Sequence, residues 1–170
     1  METISQLLIE ETRYRLLEES IPRLKKCLAR MTADDIWYRA NHQTVSAGNL
    51  VLHLCGNVKQ WLISGLGGRA DHRDRDKEFQ EEGPLETPVL VQMLDDLSSE
   101  INQILNELDD VDLQRNQTIQ GYQVTGVSIL VHVVEHFSYH VGQVTYMVKS
   151  RKAVDMGYYQ GKDLNQLNRS

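Results

Sequence analysis

The chain has 170 residues, which suits one domain with a hydrophobic core large enough to need no disulfide or metal staple. Its 18 basic and 24 acidic residues give a net charge of −6 with neutral histidines, and no basic stripe is present, so we expect no nucleic-acid partner. No apolar run approaches the ~18 residues of a membrane span, and the amino terminus lacks the features of a secretory signal, so we expect a cytoplasmic protein with no membrane partner.

The first predicted helix covers about Thr3 to Arg30, where apolar residues recur near helical spacing. Pro22 interrupts this pattern, which predicts a kink or a break near Ser20, because proline lacks the N–H that would continue the helix. The connection Met31–Val45 carries two large aromatic residues, so we expect it to be packed rather than mobile.

The second and third predicted helices lie in the middle of the chain. The second begins near Ser46, a favourable N-cap residue, and ends at about Leu66 before two consecutive glycines. The third begins at Thr87 or Pro88 and ends at about Leu108, with apolar residues at helical spacing throughout. Each helix is therefore expected to bury one apolar face.

The segment Gly67–Pro84, which joins these two helices, contains ten charged residues among eighteen. This composition favours a solvated connector. The alternative is a lid over a functional site, in which Arg73 or Arg75 contacts an anionic substrate. At up to ~3.3 Å per residue, the segment is long enough to cross from one end of a ~30 Å helix to the other, so its length is compatible with parallel helices.

The fourth predicted helix covers about Gly126 to Lys149 and is rich in valine, so packing rather than intrinsic propensity must stabilise it. The polar stretch Asp109–Thr125 before it is expected to contain a brief extended piece around Thr118–Val124. The polar residues 151–170 are expected to form a loosely ordered tail. The chain therefore divides into a helical domain at residues 1–150 and this tail, and its predicted fold class is all-α, a four-helix bundle.

Three histidines in apolar parts of two helices are the candidate functional residues. His136 and His140 lie one turn apart on the fourth helix and project from nearly the same face. His53 lies in an equally apolar stretch of the second helix, where an imidazole without a partner is costly to bury. Bundle cores recurrently build metal sites from facing helices, and three imidazoles leave one coordination position open, as in catalytic sites.

Spacing alone leaves part of the site undecided. His132 precedes His136 by four residues, so it could replace His140 as the partner of His136, or lie beside the site as a supporting imidazole. All three cannot bind one ion, because they span about 12 Å of helix. Gln143 follows His140 by about one turn and could orient a ligand or substrate, or form an interhelical hydrogen bond.

Other reactive side chains are set aside because of where they lie. Glu135 and Cys55 point away from the histidines on their own helices, and His42 and His72 fall in predicted loops. Cys55 and Cys27 lie inside helical patterns, outside any Cys-x-x-Cys pair, and are predicted to be buried, reduced thiols.

Two stretches of the sequence resemble a known family. They are Asn49-Leu50-Val51-Leu52-His53 in the second helix and His136-x-x-x-His140-x-Gly142-Gln143 in the fourth. Their order and separation are similar to those of the DinB/YfiT-like superfamily of damage-inducible proteins, and the resemblance extends over most of the chain, nearest to an uncharacterised branch. It implies an up-down-down-up bundle with a long crossover between helices two and three. It also implies a divalent metal on His53, His136 and His140.

Characterised members of that superfamily include bacillithiol-type thiol S-transferases and mycothiol-dependent maleylpyruvate isomerase. The resemblance therefore implies a metal-dependent thiol transferase or hydrolase, with a metal-bound water or thiolate as nucleophile. The alternative is a non-catalytic metal-binding or dimerisation protein in a stress response. Zinc or nickel is the expected ion, with iron and cobalt as alternatives. The expected partners are a small-molecule or thiol substrate and a second copy of the chain.

Overall fold

The first long helical stretch contains a change of helix type. A computed structural model describes residues 2–83 and 85–167, and this stretch is built from α1 (Ile4–Arg13), a π-helical segment (Tyr14–Ser20) and α2 (Ile21–Leu28). Pro22 has no backbone N–H to donate, and the wider π-helical register ends immediately before it, where Ile21 donates to the carbonyl of Leu16. The discontinuity predicted near Ser20 takes this form.

The middle of the chain contains two further long helical stretches. α4 (Ala47–Val58) continues into a second π-helical segment (Lys59–Leu66), and together they cover the predicted second helix. Ser46 caps α4 by accepting a hydrogen bond from the backbone N–H of Asn49. α6 (Thr87–Glu107) covers the predicted third helix. Two short helices lie in the connections between the long helical stretches. They are α3 (Ala33–Ile36), which precedes α4, and α5 (Arg75–Gln80), which precedes α6.

A small hairpin precedes the last helix. The elements here are α7 (Asp110–Gln114), β1 (Asn116–Ile119), β2 (Tyr122–Thr125) and α8 (Gly126–Lys152). The strands pair antiparallel, with Ile119 opposite Tyr122. Gln120 and Gly121 between them have φ angles of 51° and 83°, as the two central residues of a type I′ turn require. The extended piece predicted at Thr118–Val124 is thus the turn end of this hairpin.

The long helices share one hydrophobic core. α8 packs against α1, α2 and α4, and α6 packs against α1, α2 and α4 as well. Each long stretch contributes side chains with no exposed surface: Leu24, Leu54, Leu97, Leu130 and Phe137. The fold is therefore all-α apart from the hairpin. Among the described residues, no helix combines the length and the apolar character needed to cross a membrane.

Part of the predicted loose tail packs on the helices. Met156 is buried, and the hydroxyl of Tyr158 lies 2.9 Å from Thr145 Oγ1 and 3.2 Å from Cys27 Sγ. The polar composition of residues 151–170 concealed these anchors, because a few apolar and aromatic side chains are enough to make the contact.

Candidate metal centre

His53 lies at the interface between α4 and α8. Its residue surface is 6% exposed, within a stretch of α4 in which Leu50, Val51 and Leu54 are also buried. Its Nε2 atom lies 3.1 Å from Nε2 of His136 on α8. The apolar face that anchors α4 in the core therefore carries one polar ring into contact with the neighbouring helix.

His136 and His140 complete a cluster of three imidazoles. Their ring centroids are 4.6 Å apart, and the His140 centroid is 5.1 Å from that of His53. One potential ligand atom from each ring lies within 4.8 Å of the other two. Two nitrogens on a tetrahedral ion with bonds of about 2.0–2.1 Å are about 3.4 Å apart, so small side-chain movements would let all three coordinate one ion.

Hydrogen bonds at Nδ1 orient two of the three rings. His53 Nδ1 lies 2.9 Å from Glu78 Oε2, and His140 Nδ1 lies 2.7 Å from Gln143 Oε1. Donation from Nδ1 leaves the Nε2 lone pair of each ring available to a metal. The Nδ1 atom of His136 is buried and has no hydrogen-bond partner among the described residues, so the polar contact that positions this ring is the one between its Nε2 atom and Nε2 of His53. This set of neutral nitrogen donors suits a divalent transition metal.

The protonation state of the cluster also suits coordination. Burial, followed by the proximity of His140, His53 and His132, lowers the pKa of His136 to about 3. Burial also lowers the pKa of His140, although its hydrogen bond with Gln143 opposes the change. Both rings are therefore neutral near pH 7, and neutral imidazole is the form that binds metals.

His132 lies beside the cluster and not within it. Its Nε2 atom is 3.3 Å from Asn57 Nδ2, and its ring stacks on Trp61 with centroids 3.8 Å apart. The ring centroid of His136 is 5.3 Å away. Of the two alternatives that spacing left open, the structure groups His140 with His136, as the family resemblance implied.

Most of the charged segment between α4 and α6 is exposed, as its composition predicted, but two of its charged side chains are buried. Glu78 and Arg73 on this segment have side chains only 9% and 3% exposed, and Arg73 Nε donates to Glu78 Oε1 at 2.7 Å. Burial alone would raise the pKa of Glu78, but hydrogen bonds from His53 and Arg73 outweigh it and lower that pKa. The two charges are buried because they neutralise each other.

Sequence reasoning missed Glu78, although Gly56 was an available signal. Gly56 lies inside α4, one turn after His53, and a Cβ atom there would lie 2.8 Å from Glu78 Cδ and 3.1 Å from Arg73 Nε. An isolated glycine inside a helix often marks a close approach by another group. Here the missing side chain of Gly56 leaves room for the Arg73–Glu78 pair to pack directly on α4.

The other candidates have defined surroundings. Gln143 bonds to His140 on its own helix and so orients a cluster imidazole, a contact that neither sequence alternative named. The Arg75 guanidinium lies over the Phe79 ring, 4.9 Å from its centroid. Burial raises the pKa of the Cys55 thiol to about 12, which excludes it as a nucleophile near neutral pH. Glu135, His42 and His72 are exposed.

Two solved structures share the fold of this chain. One is a DinB-like protein, YjoA, from Bacillus subtilis, with 20% identity and a TM-score of 0.63 over 82% of this chain and 90% of that one. The other is a conserved protein from Enterococcus faecalis, with 17% identity and a TM-score of 0.69 over 88% of this chain and 97% of that one. These likenesses confirm the DinB-like fold that the sequence resemblance implied.

A comparison with curated proteins finds no match. A family model described as a protein of unknown function, DUF1572, matches residues 4–158, which is nearly the whole chain. The chain therefore belongs to the DUF1572 family, with a fold shared by a DinB-like protein.

Proposed function

We propose that this protein binds one divalent metal ion through His53, His136 and His140, and that it is a metal-dependent thiol transferase or hydrolase. The supporting observation is that three imidazoles from two helices offer ligand atoms within 4.8 Å of one another. Three nitrogen ligands leave a coordination position for a further ligand. Zinc or nickel is the first choice, with iron and cobalt as alternatives.

The chain's own residues prepare the site for this ion. Glu78 and Gln143 accept from the Nδ1 atoms of His53 and His140, which holds the rings in one orientation. A bound dication would lower the pKa of a water or thiol that it coordinates, and so supply a nucleophile.

Elemental analysis tests the metal site. The native protein and a His132→Ala variant should carry the ion, whereas His53→Ala and His136→Ala should lose it. His132 is the matched control, because it lies on the same helix and beside the same cluster. Unchanged metal content in both ligand variants would overturn the proposal.

A second experiment separates the enzyme from a non-catalytic metal protein. Cobalt-substituted protein is titrated with a small thiol and followed by its visible spectrum. A thiolate-to-cobalt charge-transfer band is expected if the open position accepts a thiol. If no band appears, and if metal removal affects only thermal stability, a structural role for the ion in a stress-response or dimerisation protein replaces the enzyme proposal.

We also propose the up-down-down-up topology that the resemblance implies. Residue pairs along the helices support it. His53 and Asn57 contact His136 and His132 in reversed order, as antiparallel helices require. Lys59, on the helical stretch that begins with α4, and Arg69, three residues beyond the end of that stretch, pair with Glu100 and Glu107 in the same order, as parallel helices require.

On the basis of the family resemblance, we also propose that the protein is a cytoplasmic homodimer that acts on a small molecule or thiol. Its buried, unpaired cysteines are consistent with a reducing compartment. Sedimentation of the purified protein measures the oligomeric state, and a monomer at micromolar concentration would contradict the dimer.

A further inference from the structure

The segment that carries Glu78 is not held to the helices by continuous apolar packing. A cavity of about 710 Å³ separates part of it from α4 and α6. The helices contribute Leu52, Ile63 and Ile104 to the cavity wall, and the segment contributes Asp71 and Glu81. Beside the cavity, the Phe79 ring packs on His53 with centroids 4.9 Å apart, and the remaining contacts that position Glu78 are polar.

Two side chains, buried Asn49 and half-buried Arg39, donate hydrogen bonds to the carboxyl end of α5. Asn49 has no exposed surface, and its Nδ2 donates to the carbonyls of Glu78 at 2.9 Å and Glu81 at 2.7 Å. Arg39 Nη2 donates to the carbonyl of Phe79 at 2.8 Å. Carbonyls at a helix end have no partner within the helix, so these bonds satisfy groups that would otherwise be unpaired.

The side-chain amide of Asn49 also takes part in the cap of α4, and this second role uses its oxygen atom. Its Oδ1 atom accepts from the backbone and hydroxyl of Ser46 at 3.1 and 2.7 Å, which completes the cap of α4. It also accepts from Arg39 at 3.0 Å. The oxygen of Asn49 thus serves α4, and the nitrogen serves the segment that bears Glu78.

We propose that Asn49 is a positioning residue of the metal centre, acting on His53 through Glu78. The inference rests on the proposed metal function. Asn49 fixes the backbone of Glu78, and the Glu78 carboxylate fixes the tautomer and orientation of His53. Removing a direct partner of a metal-bound histidine, here Glu78, typically weakens metal affinity 10- to 100-fold.

Asn49→Asp separates the two tasks. It keeps an oxygen for the α4 cap and for Arg39 but replaces the two N–H bonds to Glu78 and Glu81 with repulsion between oxygens. Metal titration should show about a 10-fold weaker zinc affinity, the lower end of the range for a direct partner of a metal-bound histidine. Nitrogen-15 NMR of the metal-free protein should show His53 losing its single Nδ1–H tautomer. Thr125→Ala, which removes the cap of α8 without touching this segment, should lower the thermal midpoint and leave both readouts unchanged.

A double-variant comparison tests whether the effect passes through Glu78. Glu78→Gln should weaken zinc binding, and adding Asn49→Asp to it should cause little further loss, because both act on one contact. Glu82→Gln is the matched control, with the same charge change at an exposed site on the segment.

Three results would overturn the inference: unchanged zinc affinity in Asn49→Asp, an unchanged His53 tautomer, or additive losses in the double variant. If the wild-type protein bound none of zinc, nickel, iron and cobalt, the proposed function would fail on its own, whereas the His53 tautomer in metal-free protein would still test the role of Asn49.

Discussion

Replacing Gly56 with alanine should destabilise this protein, although the same change usually stabilises a helix. Alanine is favoured over glycine in a helix interior by about 1 kcal/mol. At Gly56, however, the new methyl group would overlap the Glu78 carboxylate, which three hydrogen bonds from His53 and Arg73 hold in place. The carboxylate must move, and its bonds must lengthen or break.

The expected size of the effect follows from these opposing contributions. Disrupting a buried ion pair costs about 3–5 kcal/mol. Subtracting about 1 kcal/mol of helix propensity leaves a net loss of about 2–4 kcal/mol in the free energy of unfolding. At about 2–4 °C per kcal/mol for a chain of this size, the thermal midpoint should fall by roughly 4–16 °C.

Gly142→Ala is the matched control, because this glycine lies inside α8 with no atom within 4 Å of an added Cβ. The thermal midpoint of Gly142→Ala should rise by about 2–4 °C. Calorimetry and urea unfolding of both variants measure the difference. If Gly56→Ala were as stable as Gly142→Ala, the Glu78 carboxylate would not be firmly held against α4.

Three further outcomes are expected. Protein at a free metal concentration of about 100 Kd should have a free energy of unfolding about 2.7 kcal/mol higher than protein whose metal has been chelated. An unchanged thermal midpoint after chelation would contradict preferential binding of the metal to the folded state. Phe137→Ala should cost about 3–5 kcal/mol, because its side chain is wholly buried, whereas Phe137→Leu should cost much less. Hydrogen bonds from Lys152, Thr32 and Arg151 hold the pKa of Asp35 far below its usual range, so its contribution to stability is complete above about pH 4 and is lost as the pH falls. Asp35→Asn should therefore cost about 1–3 kcal/mol at pH 7, and urea unfolding should show this difference shrinking below about pH 4.

Features with a local cause were predictable from the sequence. The starts of α4, α6 and α8 follow from a capping residue or an early proline beside a periodic apolar face, and such signals act within one or two turns. The i, i+4 pairing of His136 with a second histidine is equally local. Choosing His140 over His132 required the family resemblance, because both have the same spacing.

The burial of Glu78 has a long-range cause, and its one local signal, the glycine at position 56, indicates a close approach without identifying the group that approaches. Composition averages over the charged segment and describes most of it correctly as exposed. Whether one carboxylate is buried depends on a guanidinium within reach and a missing side chain on another helix, here Arg73 and Gly56. Periodicity contains no information about such a contact.

The separation of the site residues along the chain has a consequence for folding. His53 and His136 meet across 83 residues, so closing the loop between them costs about 4 kcal/mol of chain entropy by the (3/2)RT ln n relation. The three ligands come together only when α8 packs against α4, so metal binding should be a late event in folding. Once bound, the ion would tie α4 to α8, and every opening motion that parts these helices would have to release it. Amide protons in both helices should therefore exchange with solvent more slowly in the metal-loaded protein.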